Sequence, residues 1–186
     1  MSIIIISGPS GSGQDSVIKG LEKKFELKRI TTATTRIMRS GESQGNPYYF
    51  ISEDEFKKKI DENKFFEYAC EYNNNYYGVT HKEIERAKKS KKINIWKIEY
   101  KGVITAKKMM PKIKAILITS PLNILEKRIR LRDKNKGEKY IKERIDYTKE
   151  FLKHKNIYDY KIINKEGKLN ETINKTADII KSLTNS

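Results

Sequence analysis

The sequence predicts an α/β fold in which a parallel sheet is covered by helices on both faces. Three observations carry that prediction. An aliphatic run, Ile3 to Ser7, leads directly into the glycine-rich segment Gly8-Pro9-Ser10-Gly11-Ser12-Gly13. Val17, Ile18 and Leu21 then recur at helical spacing, so the order is strand, glycine-rich loop, helix. Further short apolar runs alternate with helical patterns, the rhythm of crossover connections rather than hairpins.

Ile3–Ser7 has no polar alternation, as expected of a strand buried on both faces. The helix after the loop is predicted from Gln14 to about Lys24. Runs at Ile93–Ile98, Ala115–Thr119 and Tyr160–Ile163 read as further central strands. Two stretches break the rhythm. Residues 34–84 are dense in Tyr, Asn, Gly and charge, including Tyr48-Tyr49, Asn73-Asn74-Asn75 and Tyr76-Tyr77-Gly78, which suggests a small inserted lobe with its own turns. Residues 127–150 carry Arg128, Arg130, Arg132 and Arg144 around the polar turn Asp133–Glu138. The remaining segments, 1–33, 85–126 and 151–186, form the core of one domain.

Composition narrows the class. A chain of 186 residues holds one compact domain, and 37% hydrophobic residues suffice for a core beneath a surface rich in charge. One cysteine, Cys70, excludes an internal disulfide framework and any multi-cysteine metal site, which fits a reducing compartment. The aliphatic run at Ile3 is far too short for a membrane span or a signal core, so a cytoplasmic protein without membrane contact is expected. The net charge of +16 suits an anionic partner, whether nucleotide, nucleic acid or acidic membrane. Lysine is scattered beside Ile and Asn without a recognition motif, so no dedicated nucleic-acid surface is expected. Oligomeric state is left open.

Gly8 to Asp15 matches the spacing of a phosphate loop, G-x-x-x-x-G-K-S/T, in its glycines but not in its last two residues. Glycines let backbone N–H groups turn inward, and the following helix adds the positive end of its dipole, so an anion can be held without a side-chain cation. Ser10, Gly11, Ser12, Gly13, Gln14, Asp15 and Ser16 are therefore the candidate phosphate-binding residues. Gln14 removes a positive charge where lysine would face the β- and γ-phosphates. Asp15 adds a negative one where a neutral hydroxyl usually holds Mg²⁺. Like charges a few ångströms apart in a partly dry site repel strongly, so a cation elsewhere must offset the change.

With Thr34-Thr35-Arg36-Ile37-Met38-Arg39-Ser40-Gly41-Glu42, similar to a T-T-R-x-x-R-x-G-E motif, and Tyr48 and Phe50 beyond it, the chain resembles the guanylate kinase family over nearly its whole length. That resemblance implies a P-loop NTPase sheet, a lobe for the acceptor nucleotide at 34–84, a lid at 127–150, and transfer of the γ-phosphoryl of ATP to GMP with Mg²⁺. It implies that Arg36, Arg39, Tyr48 and Tyr77 grip the acceptor phosphate, a task suited to forked guanidinium donors and phenol hydroxyls. Glu67, in Phe65-Phe66-Glu67-Tyr68-Ala69, takes the place of the carboxylate that pairs with guanine, with Thr32 near the base and Glu99 in place of an Asp. Val79 stands where the family has Ser or Thr, so one hydrogen bond to the base is expected to be missing. The lid arginines carried over are Arg132 and Arg144, and Asp133 replaces a frequent Gly. Asn164 matches an Asn near the adenine, or equally caps a strand end.

The segment Ile93–Val103 resembles a family strand ending D-x-D-x-x-G-V, and its first Asp is here Lys97. Replacing Asp by Lys adds two positive charges and cancels the two lost at Gln14 and Asp15. The expectation is that the Lys97 ammonium serves the β- and γ-phosphates while Asp15 takes Mg²⁺. The alternatives are a salt bridge sealing a dead site in a phospho-ligand binding module, a ribose bisphosphate kinase of related fold, or nucleic-acid binding through the basic surface. His81 and His154 lie too far apart to make a catalytic pair.

Overall fold

The computed structural model describes residues 3–71 and 74–184, so Asn73 of the Asn73-Asn74-Asn75 turn lies outside the described residues. The strands are β1 (Ile3–Ser7), β2 (Leu27–Arg29), β3 (Thr32–Thr34), β4 (Ser43–Gln44), β5 (Pro47–Phe50), β6 (Phe65–Cys70), β7 (Tyr76–Thr80), β8 (Ile93–Trp96), β9 (Lys114–Thr119) and β10 (Tyr160–Ile163). The helices are α1 (Gln14–Leu21), α2 (Glu53–Asp61), α3 (His81–Lys89), α4 (Tyr100–Met109), α5 (Leu122–Arg132), α6 (Glu138–Lys153) and α7 (Leu169–Thr184).

The main sheet is parallel, in the order β10-β9-β1-β8-β2. Alternate residues of β1 feed opposite faces, because side chains on a strand point up and down in turn. Ile4 and Ile6 pack with Val17, Ile18 and Leu21 of α1 and Ile173, Ala177 and Ile180 of α7. Ile3 and Ile5 pack with Trp96, Ile84 of α3, Val103 and Ala106 of α4, and Phe151 of α6. Helices thus cover both faces, as the alternation of apolar runs predicts. The central β1 lies between β8 and β9, and in such sheets ligands bind beyond the carboxyl ends of the strands.

A second, mixed sheet runs β4-β5-β3-β7-β6. Its small core stacks Phe56 of α2 on Phe65 at 4.3 Å, with Ala33 beside them. Ser52 caps α2 by accepting from Glu55 N at 3.1 Å, and Thr80 caps α3 by accepting from Glu83 N at 3.2 Å. Helices α5 and α6 share a separate apolar contact of Ile129, Ile141 and Ile145, joined by the polar turn expected after Arg132.

Three elements differ from expectation. Helix α1 ends at Leu21 rather than near Lys24, because Lys23 and Lys24 tighten into bonds to Gly20 O at 3.3 Å and Leu21 O at 2.9 Å. Strand β8 ends at Trp96, since its pairing with β1 stops at Ile5↔Trp96 and Lys97–Glu99 leave the ladder. Strand β2 was not anticipated, being three residues with no buried position.

Candidate active site

The phosphate loop joins β1 to α1. Its backbone turns at Gly11 and Gly13, each at φ +83°, a conformation that favours glycine. A Cβ at Gly8 would lie 2.2 Å from Ile118 O, so the loop passes against β9 with no room for a side chain. Arg128 braces the loop by donating to Gly11 O at 3.1 Å, and Asn164 Nδ2 donates to Ser12 O at 2.9 Å. Asn164 also accepts from Thr172 Oγ1 at 3.1 Å, so it ties the end of β10 to the loop and to α7. Gly13 caps α1 without a side-chain acceptor, which leaves first-turn N–H groups to face an anion.

The pairing of β8 with β1 brings Lys97 out beside this loop. Its Nζ donates to Asp15 Oδ1 at 2.8 Å and Oδ2 at 2.9 Å. Burial opposes the Lys97 charge, but Tyr48, Asp15 and Glu99 outweigh it and raise its pKa. Burial would raise Asp15, yet Lys97, helped by Arg29 and Arg132, holds it below the usual carboxylate range. The charges exchanged along the sequence therefore meet in space.

On the acceptor side, the Glu42 carboxylate takes both hydrogen bonds of Arg36 Nη2, at 2.8 and 2.9 Å, and one from Arg39 N at 2.8 Å. Arg36 lies 5.5 Å from the ring centres of both Tyr48 and Phe50, and the Tyr48 and Tyr77 rings meet edge to face at 5.9 Å. Glu42 thus fixes the Arg36 guanidinium and the Arg39 backbone.

Deeper in the same cleft, β6 supplies Glu67, the loop after β8 supplies Glu99, and β3 supplies Thr32. Glu67 and Thr32 are buried. A Cβ at Gly102 would stand 2.9 Å from Glu67 Oε1, so α4 presents bare backbone to this carboxylate. Burial, with the neighbouring Glu71, pushes Glu67 up to about 8. Burial and Glu71 also push Glu99 up to about 8, against the pull of Lys97 and Arg144. Among the described residues, Glu99 Oε2 is a buried acceptor without a hydrogen-bond partner, the kind of atom that a base edge bearing N–H donors would satisfy. Val79 is fully buried in the core cluster with Trp96.

Arginines of α5 and α6 line the other side. Arg132 Nη2 donates to Ser10 Oγ at 2.8 Å, and Arg144 Nε donates to the same oxygen at 3.2 Å. Asp133 accepts from Arg132 at 3.1 and 2.8 Å, and one of its oxygens lies 3.5 Å from Arg144 Nε.

Apart from Val79, Asp133 and Asn164, the residues singled out for phosphate, base or lid chemistry line one cleft of about 610 Å³. Sequence reasoning assigned no role to Glu42, Glu71, Arg128 or Tyr147, which line it too. Glu42 closes the motif that begins at Thr34, so its signal was present. Glu71 and Tyr147 are joined by a hydrogen bond spanning 76 residues of sequence, and no local pattern marks either. The histidines stay apart: His81 meets Phe66 at 5.7 Å and His154 stacks on Tyr100 at 4.3 Å. Among the described residues no group of three His, Cys, Asp or Glu could hold a metal, and no helix is long and apolar enough to cross a membrane.

Comparison with known proteins agrees with this geometry. A family model described as Guanylate kinase matches residues 1–183. The guanylate kinase of Wigglesworthia glossinidia brevipalpis is 39% identical over 181 residues, covering 94% of this chain and 84% of that protein. That of Rickettsia prowazekii (strain Madrid E) is 38% identical over 180 residues, covering 96% and 89%. The crystal structure of guanylate kinase from Anaplasma phagocytophilum superposes with a TM-score of 0.75 at 22% identity, covering 97% of this chain and 85% of that one, and so shares the fold. With fold, whole-length match and the acceptor motif in agreement, the chain belongs to the guanylate kinase family of nucleoside monophosphate kinases.

Proposed function

We propose that this protein transfers the γ-phosphoryl group of ATP to GMP, giving ADP and GDP, with dGMP as a further acceptor. The observation that carries the reading is the convergence in one cleft of a phosphate loop, two acceptor arginines and a carboxylate-lined pocket. A GMP phosphate oxygen attacks the γ-phosphorus in line as the bond to the β,γ-bridging oxygen breaks, and that oxygen leaves with ADP. Arg36, Arg39, Tyr48 and Tyr77 hold the acceptor phosphate. Glu67 and Glu99, with Thr32, hold the guanine edge. Arg132 and Arg144 meet the charge spread over the equatorial oxygens, so the catalysis is positioning and electrostatics without a covalent nucleophile. The acceptor lobe at 34–84 and the lid at 127–150 are the parts that move.

Lys97 stands in for the missing loop lysine in this reading. An ammonium has three donors, and Asp15 takes two, which leaves one for a phosphate oxygen. Mg²⁺ suits the site because it needs one or two carboxylates when substrate phosphates and water complete its shell, and Asp15 would hold it. When bound, the ion neutralises charge on the β- and γ-oxygens. The lone cysteine fits a cytoplasmic setting.

The Asp15–Lys97 ion pair also favours a second reading, a sealed donor site in a protein that only binds phospho-ligands. An ADP-release assay with ATP and Mg²⁺ against GMP, dGMP, AMP and UMP separates the two. Turnover is expected with GMP and dGMP, and a loss of about a hundredfold or more in kcat with Lys97→Ala, the order seen on removing one transition-state donor. GMP binding without turnover would favour the binding module. A Lys97→Ala enzyme as fast as the parent would remove the displaced lysine from the mechanism.

A further inference from the structure

We propose that Tyr147 and Glu71 form a positioning pair that ties the acceptor lobe to Arg144, so that filling one nucleotide site tightens the other. Arg144 and Tyr147 lie three residues apart on α6, hence on one face of the helix. Arg144 reaches the phosphate loop at Ser10 Oγ, 3.2 Å away. The Tyr147 hydroxyl donates to the Glu71 carboxylate, which follows β6 in the acceptor sheet. One rigid helical face therefore touches the donor loop with one residue and the acceptor lobe with the other.

Both ends of the tie are fixed. Glu71 is buried, and its backbone is closed into a turn by Glu71 N to Asn75 O and Asn74 N to Glu71 O, each at 3.0 Å. Lys101 of α4 donates to Cys70 O at 3.1 Å and sets a cation near the Glu71 carboxylate. Tyr147 packs on the core cluster, its ring 6.0 Å from that of Tyr100. Burial holds the Glu71 pKa above its ordinary value, and the Tyr147 hydrogen bond and Lys101 offset that only in part. Neither residue belongs to the phosphate loop, the acceptor-phosphate motif or the guanine carboxylates. What they add is a mechanical link: a lobe that settles over its nucleotide fixes the helix from which Arg144 reaches the donor phosphates.

The inference rests on the reading of the cleft as a two-nucleotide site, and its test does not require turnover. Calorimetry on the full chain would measure the Kd of a non-hydrolysable ATP analogue with and without saturating GMP. The parent is expected to bind the analogue about tenfold more tightly when GMP is present, within the usual range of coupling between sites. Tyr147→Phe keeps the ring against Tyr100 and loses the hydroxyl, and is expected to bring the ratio to within twofold of unity. Glu71→Gln keeps a carbonyl oxygen to accept from Tyr147, and is expected to retain most of the coupling. In steady-state assays at saturating GMP, Tyr147→Phe should raise KM for ATP by about the coupling it loses and lower kcat less, and should cost nothing further in an Arg144→Ala background. A Tyr147→Phe protein with the parent's coupling, a parent with none, or equal losses with and without Arg144 would overturn the pair. Coupled binding without phosphoryl transfer would instead retire the kinase reading and leave the pair standing.

Discussion

Asp133 sits between Arg132 and Arg144, where the proposed reaction would put a phosphate. It accepts two hydrogen bonds from Arg132 and lies against Arg144, and although burial alone would raise its pKa, Arg132, Arg144 and Arg39 keep it ionised. In the proposed reaction ATP must therefore draw these guanidinium groups away from an internal carboxylate before they serve the transferring group. Asp133→Asn is expected to lower KM for ATP about three- to tenfold, the equivalent of roughly 1 kcal/mol of removed competition. Steady-state kinetics at fixed GMP would check it, and an unchanged or raised KM would show that Asp133 orients the arginines rather than competing for them. At this scale the sequence was informative where chemistry is local. The loss at Gln14 and Asp15 is visible in the loop itself, and the gain at Lys97 becomes visible once the strands are known to be neighbours. Glu71 and Tyr147 stayed hidden because a carboxylate and a phenol acquire meaning only when the fold brings them together.

Among the elements, β1, the loop and α1 form the unit on which the donor site depends. The loop is wedged between Ile118 of β9 and its own Ser12, whose Oγ would lie 2.6 Å from a Cβ at Gly8. Backbone on one side cannot give way, so Gly8→Ala should displace the whole cradle. A stability loss of about 1–3 kcal/mol, as for overpacked cores, is expected, together with loss of ATP binding. Thermal unfolding and calorimetry would report the two effects, and an alanine variant binding ATP like the parent would contradict the close approach. This unit was legible in the sequence because its strand is a pure aliphatic run and its glycines are spaced for tight turns. Strand β2 was not, since three partly exposed residues carry no periodicity and depend on β8 for their conformation. The early end of β8 was equally hidden, because Lys97 and Ile98 continue the strand-like alternation after the pairing has stopped.

For the whole molecule, buried carboxylates set the response to pH. Glu67 and Glu99 rise from an ordinary 4.5 to about 8 in the folded chain. Between those values the unfolded chain has released protons that the folded chain keeps, so their contribution to stability is full below 4.5 and lost as the pH climbs through about 8. Asp15, Asp133 and Asp159 shift the other way, and their contribution is lost only in acid, below their ordinary value of 3.8. Without nucleotide, Tm is therefore expected to fall between about pH 5 and 8, by several degrees for each kcal/mol lost. In the proposed function guanine takes both carboxylates ionised as acceptors, so GMP should raise Tm more at pH 8 than at pH 6. Thermal scans across that range would decide the matter, and a flat profile would mean the two groups are ionised throughout.

The three residues leaving β8 extend these effects. Lys97 turns to Asp15, Ile98 packs on the core, and Glu99 faces the cleft beside Glu67, all before α4 begins. The proposed donor and acceptor sites thus share a single fulcrum shorter than one helical turn. In the proposed function an insertion or deletion there would disturb both nucleotides at once, whereas exchanging a side chain on the fixed spacing, as at Lys97 or Glu99, would alter one site alone.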